Sequence, residues 1–215
     1  MRRPNYKVII DHYENCLTKY GDNHRGVDWP NEEDASKRYE IMLNVLSYRR
    51  QRDTTSLLDF GCGTAGLYEY LQHHSTSSVS YSGLDVSPKF IEVCKRKFPY
   101  LDFYEIDILK GSGKIPAFDF VVMNGVFTEK RELSFDEMLL YFKSMLRIIF
   151  KKANIGIAFN VMSKQVDWER EDLFHLPQDL LTDFLVKDIS RHYVIRNDYG
   201  LYEYTVYVFK TAYHE

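Results

Sequence analysis

The sequence lacks a long apolar run and has few cysteines. No stretch of the 215 residues approaches the roughly 20 apolar residues of a membrane-spanning helix, so no membrane partner is expected. The basic first residues are followed by no apolar segment, so a signal peptide is not expected either. The three cysteines, Cys16, Cys62 and Cys94, are scattered and form no disulfide framework. These absences predict a protein of the reducing cytoplasm.

The sequence also lacks an excess of positive charge. Its formal net charge is −3 and its pI about 6.2, which gives no electrostatic reason to expect a nucleic-acid partner. No spacing typical of a metal site is found, so no metal is expected. Linkers, repeats and low-complexity tracts are absent, and 45% of the residues are hydrophobic, which predicts one compact domain with a proper core. Nothing in the sequence indicates the oligomeric state.

The most informative stretch is residues 56–71, where an apolar run turns on three glycines. The run suits a buried parallel strand, and apolar residues resume at helical spacing after Gly61, Gly63 and Gly66. A strand, a tight turn and a helix are therefore predicted. In an open α/β sheet, a nucleotide-like cofactor lies at this place, over the carboxyl end of the first strand. The missing Cβ atoms let the backbone approach such a ligand.

Two classes of cofactor fit this glycine turn. The pattern Gly61-x-Gly63-x-x-Gly66 satisfies the dinucleotide fingerprint, so a nicotinamide-dependent oxidoreductase is one alternative. Asp59 argues against it, because a carboxylate at the strand end would repel a pyrophosphate. The same carboxylate suits a ligand that carries an ammonium and a sulfonium group. No Tyr-x-x-x-Lys pair for hydride transfer was found after Tyr48, Tyr81 or Tyr141.

The segment Leu58–Thr64, Leu-Asp-Phe-Gly-Cys-Gly-Thr, resembles the first motif of class I S-adenosylmethionine-dependent methyltransferases. The extra Ala65 before Gly66 is a small departure from that motif. The resemblance covers roughly residues 57–210. It implies an α/β fold with a Rossmann-like, seven-stranded, mostly parallel sheet, helices on both faces and a C-terminal antiparallel β-hairpin. Alternation over 189–196 and 201–209 around an Asn-Asp-Tyr-Gly turn agrees with that hairpin.

The resemblance also implies a set of contacts to S-adenosyl-L-methionine. Asp85 ends the second predicted strand and resembles the ribose-binding acid, whereas Asp107-Ile108 resembles the adenine contact after the third strand. Asn124, at the exit of the fourth strand, would face the methyl donor. The full set of expected cofactor contacts is Asp59, Gly61, Cys62, Gly63, Asp85, Val86, Asp107, Ile108 and Asn124.

The resemblance further divides the chain into N-terminal helices that cover the active site, 1–50, and a cofactor-binding core, 51–215. Trp29 and Arg38 are candidates for lining that cover, although a packing role for Trp29 and a solvated position for Arg38 fit the pattern as well. Phe127 after the fourth strand and Trp168 in the loop after the fifth are further candidates for substrate contacts.

The predicted function is methyl transfer to an O or N atom of a small or medium-sized polar acceptor. Asn124-Gly-Val-Phe replaces the Asn/Asp-Pro-Pro-aromatic motif of enzymes that methylate exocyclic base amines, which argues against that class. A general base is useful for some nucleophiles, and the candidates are His12, His24, His175 and Asp198, of which none is assigned. A non-catalytic partner protein that binds S-adenosylmethionine remains a second alternative.

Overall fold

The structure is a computed structural model that describes residues 5–49, 54–74, 78–111 and 115–212. The expected boundary between 50 and 51 lies outside these residues. Within the described ranges, no helix combines the length and apolarity needed to cross a bilayer.

Six α-helices and eight strands are the main elements of the described part of the chain. The helices are α1 (Lys7–Tyr20), α2 (Glu32–Leu43), α3 (Gly66–His74), α4 (Pro88–Lys97), α5 (Phe135–Phe150) and α6 (Gln178–Phe184). The strands are β1 (Thr55–Phe60), β2 (Val79–Asp85), β3 (Asp102–Glu105), β4 (Phe118–Met123), β5 (Ala153–Ser163), β6 (His175–Leu176), β7 (Tyr193–Arg196) and β8 (Glu203–Phe209).

All eight strands form one sheet, with the order β3-β2-β1-β4-β5-β8-β7. The first five strands in this order are parallel, and β8 runs antiparallel to β5 and to β7. This arrangement confirms the predicted seven-stranded sheet and its terminal hairpin. The sequence analysis missed β6, which pairs with the end of β5 through two residues only and is too short to show a pattern.

Local capping signals determine where the helices begin. Ser87 accepts a hydrogen bond from the backbone N–H of Phe90, and Pro88 occupies the first helical position of α4. Ser134 and Glu137 form the predicted capping box of α5. These caps fix where α4 and α5 begin after β2 and β4, and so hold the intervening loops at the carboxyl edge of the sheet.

The third strand is followed directly by the turn that carries Asp107. Apolar alternation runs from 101 to 109, and within it β3 ends at Glu105. Beyond it the backbone N–H of Ile106 bonds to the carbonyl of Asp85, and the chain turns around Asp107. The alternating residues therefore contain the strand and its exit, and the turn places Asp107 at the carboxyl edge of the sheet.

The core lies on both faces of the sheet. On one face α5 packs through Phe142, which contacts Phe127 and Phe159 edge-on at 4.9 and 5.5 Å between ring centroids. On the other face α3, α4 and the end of α2 cover the strands with an apolar cluster that includes Met42, Leu67 and Ile91. Every residue of β4 is buried, so this central strand supports the loop that follows it.

Candidate active site

A cleft runs along the carboxyl ends of β1, β2 and β4 and is covered by α1 and by the turn before α2. Its lining includes all nine residues that were expected to contact the cofactor, together with Trp29. The glycine turn forms its floor. Gly61 has a φ of +74°, in the left-handed region that side chains disfavour, and its amide donates to the carbonyl of Leu84 at 2.7 Å.

Asp59 lies at the floor of the cleft and is only 2% exposed. One of its carboxylate oxygens accepts a hydrogen bond from the Tyr81 hydroxyl at 2.8 Å. Burial raises the pKa of Asp59 to about 7, the Tyr81 hydrogen bond opposes this rise, and the neighbouring Asp85 adds to it. A cationic ligand stabilises the ionised form of such a buried carboxylate, because the ligand supplies the missing counter-charge.

Asp85 is held rigidly at the end of β2. Its Oδ2 accepts from the backbone N–H of Gly63 at 3.1 Å, and its Oδ1 accepts from that of Ser87 at 2.9 Å. Burial raises its pKa to about 6 despite these two hydrogen bonds. Since each carboxylate oxygen can accept more than one hydrogen bond, the side chain is fixed in place and keeps acceptor capacity for a pair of ribose hydroxyls.

Asp107 lies at the end of the cleft where the adenine is expected. Its carboxylate also bonds to the segment before α1. Its Oδ2 accepts from the Tyr6 hydroxyl at 2.7 Å, and Lys110 lies 3.0 Å from the same oxygen. Burial alone would raise the pKa of Asp107, but the Tyr6 hydroxyl and the Lys110 ammonium together lower it. Asp107 is therefore an ionised acceptor beside Ile108, as the adenine contact requires.

Asn124 is the clearest indication that the cleft accepts a polar ligand. Its side-chain nitrogen and oxygen are both buried, and within the described residues neither has a hydrogen-bond partner. Buried amides are normally paired, because an unpaired one costs about 1–3 kcal/mol. Asn124 lines the cleft at the exit of β4. The carboxylates, the glycine turn and this unpaired amide fit S-adenosylmethionine, with its ribose, its adenine and its charged methionine end.

Trp29 closes the cleft over the β4 exit. A Cβ added to Gly125 would lie 3.2 Å from the Trp29 ring, so the indole rests against this glycine. Tyr39 packs on Trp29 at 5.3 Å between ring centroids. A Cβ on Gly66 would lie 2.4 Å from the Tyr39 hydroxyl oxygen. Gly66, displaced by the extra Ala65, thus makes room for the aromatic cover at the start of α3.

Arg38 does not line the cleft, but its side chain supports residues that do. Its Nε donates to Glu203 at 2.8 Å, and its guanidinium lies 5.3 Å from the Trp29 ring. Glu203 accepts a second hydrogen bond from the Asn160 side-chain nitrogen at 2.9 Å, and the Asn160 side-chain oxygen Oδ1 accepts from the backbone N–H of Gly125 at 2.7 Å. We call Arg38, Glu203, Asn160 and Gly125 the buried relay. Of these four residues, only Arg38 was a candidate from the sequence.

Helix α1 is fastened to the cleft by further contacts that the sequence analysis missed. Glu14 accepts from the Ser87 hydroxyl at 2.7 Å and pairs with Lys89 at 2.9 Å. Tyr13 donates to the carbonyl of Gly125 at 3.3 Å. With the Tyr6–Asp107 hydrogen bond, these contacts cover the length of the cleft. Periodicity identified the helix but gave no sign of which polar side chains meet the core.

Two of the expected substrate contacts lie elsewhere. Phe127 is fully buried between Phe142 and Phe159, so it packs the core instead of facing the cleft. Trp168 is 71% exposed in the loop after β5 and does not line the cleft. The structure therefore places neither side chain in the cleft, because position after a strand does not determine which way a side chain points.

The candidates for a general base also lie outside the cleft lining. Both ring nitrogens of His175 bond to backbone, one to the carbonyl of Ser163 at 2.6 Å and one to the N–H of Arg170 at 3.2 Å. Asp198 is an exposed partner of Arg196. The His24 ring bonds to the carbonyl of Trp29 at 2.5 Å, and His12 pairs with Asp28. These roles are structural, and no base is assigned.

Comparison with known proteins agrees with this site. A family model described as a methyltransferase domain matches residues 58–147. The Mycobacterium tuberculosis protein with the provisional name methyltransferase Rv1506c is 26% identical over 162 residues, which cover 74% of this chain and 96% of that protein.

Solved structures share the fold. Magnesium protoporphyrin IX methyltransferase from Synechocystis PCC 6803 with bound S-adenosylhomocysteine (SAH) has a TM-score of 0.65 and 14% identity, covering 96% of this chain and 100% of that one. A SAM-dependent methyltransferase from Leishmania major has a TM-score of 0.66 and 14% identity, covering 95% of this chain and 82% of that one.

The fold, the cleft and the methyltransferase domain matched over residues 58–147 support a class I S-adenosylmethionine-dependent methyltransferase. The same findings support S-adenosyl-L-methionine as the cofactor.

Proposed function

We propose that the protein transfers the methyl group of S-adenosylmethionine to an O or N atom of a small or medium-sized polar acceptor. The enclosure of the cleft at the β4 exit carries this proposal. There Tyr13 and Trp29 lie over Gly125, next to Asn124. Because the chain itself covers this end, the space for an acceptor is confined by side chains, which favours a small molecule over a folded macromolecule.

The cofactor supplies an electrophilic methyl group on a sulfonium, so the chain's residues have mainly to position the reactants. Asp85 and Asp107 offer carboxylates for the ribose and adenine ends, and Asp59 offers a counter-charge for the cationic end. The unpaired Asn124 amide is available to orient the reacting groups. Alignment of a nucleophile about 3 Å from the methyl carbon can supply much of the rate, and the aromatic cover excludes water from it.

A second groove, which is lined by residues of mixed charge, supports a polar acceptor. It lies between the segment after β4 and the loop after β5, and its charged lining residues are Lys130, Arg131, Glu132, Glu137, Lys164, Glu169, Arg170, Glu171 and Asp172. The net charge of −3 does not favour RNA or DNA. The fold alone does not decide, since both magnesium protoporphyrin IX methyltransferase and the small RNA methyltransferase HEN1 share it.

A cytoplasmic location is part of the same proposal. Cys16, Cys62 and Cys94 are all free and buried, as is usual for proteins of a reducing compartment.

Two experiments test this function in sequence. Calorimetric titration with SAH should show micromolar binding that Asp85→Ala abolishes, whereas Asp102→Ala, which removes an exposed acid from the neighbouring β3, leaves binding unchanged. NADH should not bind; binding of NADH would contradict the assignment of the cofactor.

Methyl-labelled S-adenosylmethionine is then incubated with the protein and with separate pools of small metabolites, total RNA and cellular protein. We expect label in the small-molecule pool, lost with Asp85→Ala and kept with Asp102→Ala. Label confined to RNA or protein would overturn the proposed acceptor class. Binding of SAH without transfer to any pool would favour the non-catalytic alternative.

A further inference from the structure

Three donor atoms of different chemistry meet beside the cover of the cleft. His12 Nε2 lies 2.7 Å from Asp28 Oδ2, and Cys16 Sγ lies 3.8 Å from His12 Nε2. All three atoms lie within 4.8 Å of one another. His12 and Cys16 are four residues apart on α1 and so share one face of the helix. Asp28 comes from the end of the short helical turn His24–Val27.

The geometry distinguishes a metal site from a proton relay. In a relay of the Cys-His-Asp kind, the thiol and the carboxylate bond to opposite nitrogens of the imidazole. Here Sγ and Oδ2 both approach the same nitrogen, Nε2. Convergence of three donors on one point is what a shared cation requires, and it prevents the imidazole from passing a proton between the other two groups.

We propose that His12, Cys16 and Asp28 bind a divalent transition-metal ion of the zinc type. An imidazole nitrogen, a thiolate sulfur and a carboxylate oxygen are the usual ligands of zinc, and three of them leave a fourth position open. One thiolate and one carboxylate neutralise the charge of the ion. Bond lengths of about 2.0–2.3 Å in a tetrahedral site separate the ligand atoms by roughly 3.3–3.7 Å. The Nε2–Sγ distance of 3.8 Å lies just above this range, and the Nε2–Oδ2 distance of 2.7 Å must open by about 0.6 Å when the ion replaces the hydrogen-bonded proton.

The residues around the cluster can accommodate the positive charge of a bound ion. Glu129 is 6% exposed and lies next to this cluster. The nearby cation, Arg131, pairs with Glu129 at 3.3 Å and with Asp172 at 3.2 Å, so its charge is already compensated. The proposed site is also built from two segments of the cover, because His12 adjoins Tyr13 and Asp28 lies between Val27 and Trp29, all of which line the cleft. A bound ion would therefore join α1 to the turn before α2.

Cobalt(II) is the most direct probe, because a cobalt–thiolate bond gives a charge-transfer absorption that imidazole and carboxylate ligands do not. The full chain, without a histidine tag and freed of metal, is titrated with Co²⁺ under reducing conditions. We expect the band to saturate at one equivalent and to disappear when Zn²⁺ is added, since zinc binds such sites more tightly than cobalt. Cys16→Ser should abolish the band, and Cys94→Ser, the matched control for a buried cysteine outside the cluster, should retain it.

Asp28→Asn tests the carboxylate and should weaken zinc affinity at least ten-fold in competition with a chromophoric chelator. Asn is tolerated at the left-handed φ of 59° that Asp28 adopts, so this variant should fold even if Cys16→Ser does not. The proposal is overturned if the wild-type protein gives no thiolate band, if the band persists in Cys16→Ser, or if Asp28→Asn leaves zinc affinity unchanged.

Discussion

At the scale of single residues, Asp59 determines how cofactor affinity should depend on pH. Its pKa of about 7 in the free protein means that a large fraction of the carboxyl groups is protonated near neutral pH. A ligand with an ammonium group favours the carboxylate, so the pKa must fall when the ligand binds. Affinity is therefore greatest above pH 7 and is lost as the pH falls below it.

We predict that the affinity for SAH falls roughly ten-fold between pH 8 and pH 6, because protonation of one group with a pKa near 7 competes with binding over this range. Isothermal titration across the range measures the change. Asp59→Asn should weaken binding at pH 8 and flatten the pH dependence. Tyr81→Phe removes the hydrogen bond that favours the carboxylate, so the midpoint should shift to higher pH. An unchanged pH profile in Asp59→Asn would contradict this role.

Position in a strand explains which site residues the sequence could reveal. Asp59, Asp85 and Asn124 each stand where a parallel strand ends, and parallel strands end at one edge, so their convergence followed from the order of elements alone. The orientation of a side chain beyond the strand does not follow, and for this reason the sequence did not show that Phe127 and Trp168 lie outside the cleft lining. The cluster of His12, Cys16 and Asp28 gave no signal in the sequence, because a pair four residues apart with a third donor twelve residues later matches no common zinc motif.

At the scale of elements, the buried relay connects the cover to the sheet. Glu203 is a buried carboxylate, and its hydrogen bonds join α2 to β5 through Arg38 and Asn160. The two ends of the Arg38–Glu203 contact are separated by 165 positions. No local pattern in the sequence relates them. Arg38 was recognised by its place on a covering helix, but its partner requires knowledge of which strands neighbour one another.

We predict that Arg38→Met destabilises the protein by about 3–5 kcal/mol, because it leaves the Glu203 carboxylate buried without its counter-charge. Glu203→Gln keeps the shape and removes the charge. The double variant should therefore recover part of the loss, and a double-mutant cycle should give a coupling above about 0.5 kcal/mol. Urea denaturation of the four proteins measures these terms. Additive losses would show that the two side chains do not act as a pair.

The buried relay supports the cover of the cleft and does not itself line the part of the cleft around Asp85. Because Asn160 holds the Gly125 amide and Arg38 packs on Trp29, the relay supports the end of the cleft at the β4 exit, whereas Asp85 is held separately by the backbone of Gly63. Substitutions that break the relay are thus expected to disturb the aromatic cover more than the part of the cleft around Asp85.

At the scale of the whole molecule, the core and the cover differ in how firmly they are held. Helix α5 buries five residues against the sheet, Met138, Phe142, Met145, Leu146 and Ile149. Helix α1 buries only two, Ile9 and Cys16, and otherwise depends on polar contacts at its surface. An element with few buried apolar residues opens at low free-energy cost. The cover is therefore the part of the molecule that can admit the cofactor while the sheet stays intact.

We predict that SAH slows amide hydrogen exchange in α1 by at least ten-fold and leaves α5 nearly unchanged. The ligand would fill the space beneath Tyr6, Ile9 and Tyr13, so opening of α1 would have to break ligand contacts as well as protein contacts. Exchange followed by mass spectrometry, with and without saturating ligand, tests this. Glu14→Gln, which weakens the contact to Ser87 and Lys89, should speed exchange of α1 in the free protein. Equal protection of α1 and α5 would mean instead that the ligand stabilises the molecule only as a unit, and that cofactor entry does not depend on local opening of the cover.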